Sequence, residues 1–141
     1  MFYEQRLSVP ESATALRTEY ADDLRSALEH AGLDQSEAKT DVDRSKLEAL
    51  RDGEAPNLTL EEAAQIQSLE DGEPDPETIV ELAGEHLLLG MTTAVVDVDT
   101  LAADVDGDLG PTEIQQKIER RAPMTFEEYV AIQHAIVERG T

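Results

Sequence analysis

Two short clusters of basic and amide side chains are the parts of this chain whose chemistry best suits ligand binding. Arginine and lysine bind phosphate oxygens, and glutamine donates to and accepts from the edges of bases. The candidate nucleic-acid-binding residues are Arg44, Ser45, Lys46, Gln115, Gln116, Lys117, Arg120 and Arg121. They stand out because the chain has 11 lysines and arginines against 32 aspartates and glutamates, which gives a formal net charge of -21.

Residues for catalysis or metal binding do not occur at a useful spacing. The absence of cysteine excludes thiolate nucleophiles, disulfides and zinc–thiolate sites. The three histidines lie on separate predicted helices, so none has a second ligand at metal-site spacing. Residues 104–115 begin like a calcium loop, but Leu109 stands where that loop needs glycine and Gln115 where it needs glutamate. We therefore predict no catalytic residue, no metal and no cofactor, in a protein that is not an enzyme.

The acidic composition has two interpretations. Self-repulsion keeps some such chains disordered, whereas others fold in molar salt, which screens charges within about 3 Å. Regular apolar periodicity favours the folded, salt-adapted interpretation and a haloarchaeal type of cytoplasm. The chain begins without a signal-peptide pattern, and its most apolar stretch, residues 87–96, is too short to span a bilayer. We expect a cytoplasmic protein with no membrane partner.

An internal repeat organises the chain, because residues 110–136 repeat the layout of residues 43–69. The positions identical in the first copy are Ala55, Pro56, Thr59, Glu61, Glu62, Ile66 and Gln67. Their counterparts are Ala122, Pro123, Thr125, Glu127, Glu128, Ile132 and Gln133. In each copy a threonine followed three residues later by glutamate predicts a capping box at a helix start. Such an echo at a nearly fixed offset indicates a repeated structural unit.

The fold class predicted from periodicity is all-α, because apolar residues recur every three or four positions and no strand pattern persists. We predict about eight helices in two tandem four-helix, helix-turn-helix-like units, residues 1–72 and 73–141, forming one compact globule. Helix 76–95 is apolar over more than one face, so we expect it to be the central buried helix, with Leu88 in the core. Phe2 and Tyr3 predict an N-terminal arm laid against that core.

The segment 32–66, GLDQSEAKTDVDRSKLEALRDGEAPNLTLEEAAQI, resembles the helix-turn-helix of the Cro and lambda-repressor type. In that motif a short helix braces a second helix, whose first turn reaches base edges. By this resemblance the base-facing and phosphate-facing residues are Arg44, Ser45, Lys46, Ala49 and Arg51. The segment departs from the pattern at Ala38 and Lys39, where the motif has a buried apolar residue followed by alanine.

A second resemblance covers most of the chain. MFYEQR, PDPETIVE, LLLGMTTAV and EIQQKIERRAPMTFEEY resemble a haloarchaeal family of unknown function. The resemblance implies a cytoplasmic haloarchaeal protein and gives no activity. Two functions stay open: a DNA-binding regulator of helix-turn-helix type, or a protein–protein interaction module that binds no nucleic acid. The partner in the second case is another protein, or a second copy of the chain joined through helix 76–95.

Overall fold

The structure, a computed structural model, describes residues 1–105 and 109–140. Over those residues the chain is all-α, with eight helices and no strand, as the periodicity predicts. The helices are α1 (Ala13–Ala31), α2 (Leu33–Lys39), α3 (Arg44–Arg51), α4 (Leu60–Gln67), α5 (Pro76–Ala94), α6 (Val98–Asp104), α7 (Pro111–Ile118) and α8 (Phe126–Arg139).

Both predicted capping boxes are confirmed. At α4 the Thr59 hydroxyl accepts from the backbone N–H of Glu62, whose carboxylate accepts from the Thr59 N–H. Thr125 and Glu128 repeat this arrangement at α8. Each box satisfies backbone donors that the first turn of a helix leaves free. The two helix starts are therefore determined by local sequence.

The two capped helix starts lie side by side. Thr59 and Thr125 form an isolated antiparallel bridge, in which Leu60 N–H donates to the Met124 carbonyl at 3.0 Å and Phe126 N–H donates to the Leu58 carbonyl at 2.8 Å. Equivalent residues of the two repeat copies thus pair with each other. An antiparallel pair of this kind relates its two strands by a local two-fold rotation.

The packing of the helices follows the same relation. α4 packs against α5, the first helix of the second half, and α8 packs against α1, the first helix of the first half. α1 and α5 each have 19 residues, α2 and α6 each have 7, and α3 and α7 each have 8. Because each half covers the other, the two halves share one core. The division at residue 72 and the tandem origin of the halves stay predictions.

The central helix is α8, so the expectation that helix 76–95 would be central is wrong. Eight residues of α8 are buried. α5 buries only Ile79, Val80, Ala83 and Leu87, all in its first two-thirds. Leu88, expected in the core, is 49% exposed, and Leu89 is 47% exposed. The reason is that α5 packs on α4 and α8 along one face, while nothing in the described chain covers its second apolar face.

The N-terminal arm lies against the core, as predicted. Phe2 is 1% exposed, and its ring contacts those of Tyr3, Tyr20, Phe126 and Tyr129 at centroid distances of 5.0 to 6.4 Å. The Tyr129 hydroxyl donates to the Phe2 carbonyl at 2.6 Å, which satisfies a buried backbone acceptor. All five aromatic residues of the chain therefore belong to one cluster.

Candidate functional site

The predicted contact residues of the first half lie on the first turn of α3. The Arg44 guanidinium binds the carboxylates of Asp34, Glu37 and Glu48 at 3.0, 3.3 and 3.2 Å. The hydrogen bonds that Arg44 donates to the Asp34 and Glu37 carboxylates raise the pKa of Arg44. Ser45 is exposed beside it. Three carboxylates around one guanidinium leave this turn with a negative surface, which repels phosphate.

Lys46, the third residue of that cluster, is also paired. Its Nζ lies 3.2 Å from the Glu62 Oε1, the same carboxylate that completes the capping box of α4. In the second half the Lys117 Nζ binds the Glu128 Oε1 at 2.9 Å and donates to the Pro123 carbonyl at 2.8 Å. Both lysines therefore brace the helix that follows them, which accounts for their presence without any ligand.

The contacts around Glu128, which completes the capping box of α8, determine the charge of its carboxylate. Partial burial acts to raise the pKa of Glu128, but hydrogen bonds from the Thr125 backbone and from Lys117 outweigh it and hold that pKa below its usual value. Glu128 therefore stays ionised, and the charge of Lys117 is neutralised locally. The lysine has little left to offer a phosphate group.

The remaining predicted residues of the second half lie on α7 or directly after it, are exposed, and form no ion pair with a carboxylate of the described chain. Gln115 donates to Glu119 at 3.3 Å, and the Gln116 side chain is exposed. Arg120 and Arg121 are exposed at the end of α7, where they line a cleft of about 440 Å³ beside Lys117. Apart from Lys39, they are the only lysines or arginines for which residues 1–105 and 109–140 provide neither an ion pair nor a hydrogen-bond acceptor. The neutralised cations thus lie on α3 and α7, and the two free arginines directly follow α7.

The segment that resembles a helix-turn-helix departs from that motif in structure at the same residues where it departs in sequence. Ala38 and Lys39 are both exposed, and the buried positions of this region are Ser36 and Val42 instead. α2 starts at Leu33, with Gly32 in the cap position and Asp34 in the first turn. The tight packing that a buried apolar pair gives the motif is replaced here by a small polar side chain and a turn residue.

An open apolar groove of about 720 Å³ lies between α5, α6 and α7. Its apolar lining consists of Leu88, Met91, Val95, Val96, Val98 and Ile118. The groove exists because α6 packs on α7 and α8 and makes little contact with α5. The link between α5 and α6 has three residues, 95–97, whereas Gly32 alone links α1 to α2, which packs on α1. The longer link swings α6 away and leaves the groove uncovered.

The first half has a polar residue where the second half has the groove residue Leu88. Counted from the helix starts at Ala13 and Pro76, Leu88 corresponds to Arg25. The Arg25 Nε donates to the Leu50 carbonyl at 2.7 Å, and its Nη1 binds Asp22 at 2.7 Å, so the guanidinium lies across the end of α3. The fold is therefore compatible with a polar residue at this position, and a leucine there is not required for packing.

Val95, in the groove wall, has an unfavourable backbone conformation. It is 90% exposed, and its φ of 56 and ψ of 50 are left-handed, a region that β-branched residues rarely adopt. Gly32 has the corresponding cap position after α1, also with positive φ. Strain of this kind persists only where the surroundings enforce it, and it concentrates at functional positions.

The groove was not predicted from the sequence, although one signal was present. The apolar residues of α5 exceed what one packed face needs, and that excess was interpreted as deep burial. The calcium-like segment lies partly outside the described residues, since Asp106, Gly107 and Asp108 belong to neither range. Among residues 1–105 and 109–140, no group of histidine and acidic side chains is arranged to hold a metal ion.

No single helix within 1–105 and 109–140 is both long and apolar enough to cross a bilayer. α5 and α6 reach the length and composition only when taken together, and they are bent by 96° at their junction.

Comparison with known proteins places the chain in one family. No curated protein and no solved structure matches it. A family model matches residues 16–139, so the chain belongs to a family of unknown function, DUF5791.

Proposed function

We propose that the protein is a non-catalytic interaction module whose groove binds the apolar face of an amphipathic helix from another protein. Helices recognised in this way insert anchors spaced i, i+3, i+4 and i+7 into an apolar groove rimmed by polar residues. The groove volume of about 720 Å³ suits several such side chains. The module then acts by holding its partner, with no chemical step.

The observation that carries this proposal is the difference between the two halves at one structural position. The exposed part of the Leu88 side chain adds no stability to the free monomer. In the first half, Arg25 at the corresponding position shows that the fold accepts an arginine there. Leu88 lines the groove at 49% exposure, and Val95 lines it in a strained conformation. Burial by a partner would stabilise both residues, since apolar area removed from water contributes about 25 cal/mol per Å².

The test is a selection of helical peptides from a random library displayed against the protein in about 3 M potassium chloride, where surface charges are screened. Leu88→Lys removes an apolar wall residue of the groove. Leu89→Lys is the matched control. Leu89 is the next residue along the helix and is 47% exposed, against 49% for Leu88, but it does not line the groove. Both variants make the same change of charge.

We expect wild type to enrich peptides with apolar residues at helical spacing. Leu88→Lys should weaken the selected peptides by about 10-fold or more, since it removes roughly one buried leucine contact. Leu89→Lys should bind within about 2-fold of wild type. Absence of any enriched peptide, or equal loss in both variants, contradicts the proposal.

DNA binding is the second candidate function, and the two free arginines that follow α7 favour it. Arg120 and Arg121 project from the end of a helix that has Gln115 and Gln116 on its exposed face, and they have no acidic partner in the described chain. In molar salt, counterion release contributes little, so any binding rests on base-edge contacts and DNA shape. Such binding is sequence-specific or absent.

Its test is a selection from random duplexes in high salt. The double variant Arg120→Ala, Arg121→Ala should abolish an enriched sequence. Arg44→Ala is the informative comparison, because Arg44 is already bound by three carboxylates and should contribute little to DNA binding. No enriched duplex for wild type, or one kept by the double variant, removes this candidate.

The remaining features of the proposal concern setting and origin. We place the protein in a haloarchaeal type of cytoplasm, because its net charge of -21 accompanies an ordinary buried core. We also propose that the two halves arose by duplication, supported by equal lengths in three of the four helix pairs and by the pairing of Thr59 with Thr125. In this proposal the helix-turn-helix resemblance is architectural.

A further inference from the structure

We infer that the groove selects a helix whose apolar face is flanked by lysine or arginine, and that its occupant is not a second copy of this chain. The inference rests on the proposed function and adds the charge of the partner. It starts from the polar residues of the groove, which in the described chain include two acids and no base.

The two acidic lining residues form no ion pair with a lysine or arginine of the described chain. Asp97 caps α6 by accepting from the Thr100 N–H at 2.9 Å, and Glu119 accepts from the Gln115 amide at 3.3 Å. These hydrogen bonds leave further acceptor positions on each carboxylate. The hydrogen bonds to Thr100 lower the pKa of Asp97, so this carboxylate is charged at neutral pH.

The charge around the groove extends this pattern. Glu85 lies one turn before Leu88 on α5 and is exposed, and Asp99 is exposed in the first turn of α6. Seven of the eleven lysines and arginines form ion pairs with carboxylates, as at Arg44 and Lys46, but none of them pairs with an acid that lines the groove. An occupant that carries ammonium or guanidinium groups beside its apolar face would form ion pairs with these carboxylates.

A second copy of the chain lacks those groups. In a two-fold dimer the same patch meets itself, so acids of one groove approach acids of the other. The free cations nearest in sequence, Arg120 and Arg121, line a separate cleft with Leu60 and Val80. At low ionic strength, two molecules with a net charge of -21 each also repel one another before contact.

The test uses two synthetic helical peptides with the same leucine face at i, i+3, i+4 and i+7. One has lysines beside that face and the other has glutamates at the same places. Binding is measured by fluorescence anisotropy in about 0.5 M potassium chloride, where charges are less screened than at about 3 M. Circular dichroism at the lower salt confirms that the protein is folded.

The protein variants remove charge and keep structure. Asp97→Asn retains the helix cap, because asparagine and aspartate are nearly equal in that position. Glu119→Gln keeps an oxygen that accepts from Gln115. The control double variant Glu54→Gln, Asp71→Asn makes the same change of charge at exposed sites that do not line the groove.

We expect the lysine peptide to bind at least about 5-fold more tightly than the glutamate peptide, since each exposed pair is worth up to several-fold. The Asp97→Asn, Glu119→Gln variant should lose about 3- to 10-fold toward the lysine peptide only, and the difference should shrink in about 3 M salt. The control variant should bind both peptides like wild type. This combination supports the inference.

Other outcomes overturn it and separate it from the proposed function. Equal affinity for both peptides, unchanged by the groove variant, refutes the charge preference and leaves helix binding standing. Failure of both peptides and of the random library refutes the two together. A dimer in sedimentation equilibrium that Leu88→Lys dissociates and Leu89→Lys preserves identifies a second copy as the occupant.

Discussion

Replacing Val95 with glycine should stabilise the isolated protein and weaken its binding to a helical partner. Val95 ends α5 through hydrogen bonds from its own N–H to the Thr92 carbonyl at 3.3 Å and from the Val96 N–H to the Met91 carbonyl at 3.0 Å. This termination needs a left-handed residue, which is ordinarily glycine. Val95→Gly keeps the backbone path and removes the side chain that makes it unfavourable.

The size of the effect follows from three contributions. A left-handed conformation costs a residue with a side chain about 1–2 kcal/mol. Glycine gives back about 0.5–1 kcal/mol, because it loses more backbone freedom on folding. Lost burial is nearly zero, since the Val95 side chain is 90% exposed. The net gain is about 0.5–1 kcal/mol, or an increase in Tm of roughly 2–3 °C for a chain of this size.

Thermal unfolding followed by helical circular dichroism in molar salt measures this change. The reciprocal control is Gly32→Ala at the end of α1, where a φ of 84 and ψ of 154 suit glycine alone, and it should cost about 1–3 kcal/mol. A lower Tm for Val95→Gly refutes the strain argument. A higher Tm with unchanged affinity for selected peptides refutes the link between this strain and the groove.

Three further predictions test the fold. Helical circular dichroism should fall as salt is removed near neutral pH, because 32 carboxylates repel at low ionic strength, and an unchanged signal would contradict salt adaptation. Gly84→Ala should raise stability by about 0.5–1 kcal/mol through helix propensity, since its new Cβ would lie 3.8 Å from the nearest atom. Gly90→Ala should gain nothing or lose about 1–2 kcal/mol, because its Cβ would lie 2.9 Å from the Ile136 Cγ2. Phe2→Ala should cost about 3–5 kcal/mol in chemical denaturation if the arm is part of the core, and a loss below about 1 kcal/mol would show that the arm is dispensable.

The helix pattern was predictable because its signals are local. Thr59 and Thr125 with their partner glutamates, and Asp75 before Pro76, satisfy the helix starts within three residues of sequence. A repeat adds a second copy of each signal. The helices of the described chain therefore follow from spacing, and these three helix starts follow also from capping chemistry.

The position of α5 was not predictable, because burial depends on where other helices go. The sequence shows that α5 has two apolar faces, and it does not show that the three-residue link after Ala94 carries α6 away. In the same way, Arg44 and Lys117 have the composition of a phosphate site, while their carboxylate partners come from neighbouring turns and helices. Ion pairing across elements is a tertiary property, which a count of basic residues along the chain does not detect.

The aromatic cluster around Phe2 makes the protein spectroscopically simple. All three tyrosines and both phenylalanines lie in it, and the chain has no tryptophan. The near-ultraviolet circular dichroism and the intrinsic fluorescence therefore report on the packed core, with no contribution from surface rings. None of these rings lines the groove between α5, α6 and α7. A single indole placed in a binding peptide would be the only one in solution, so its emission would report occupancy while the tyrosine signal independently reports folding.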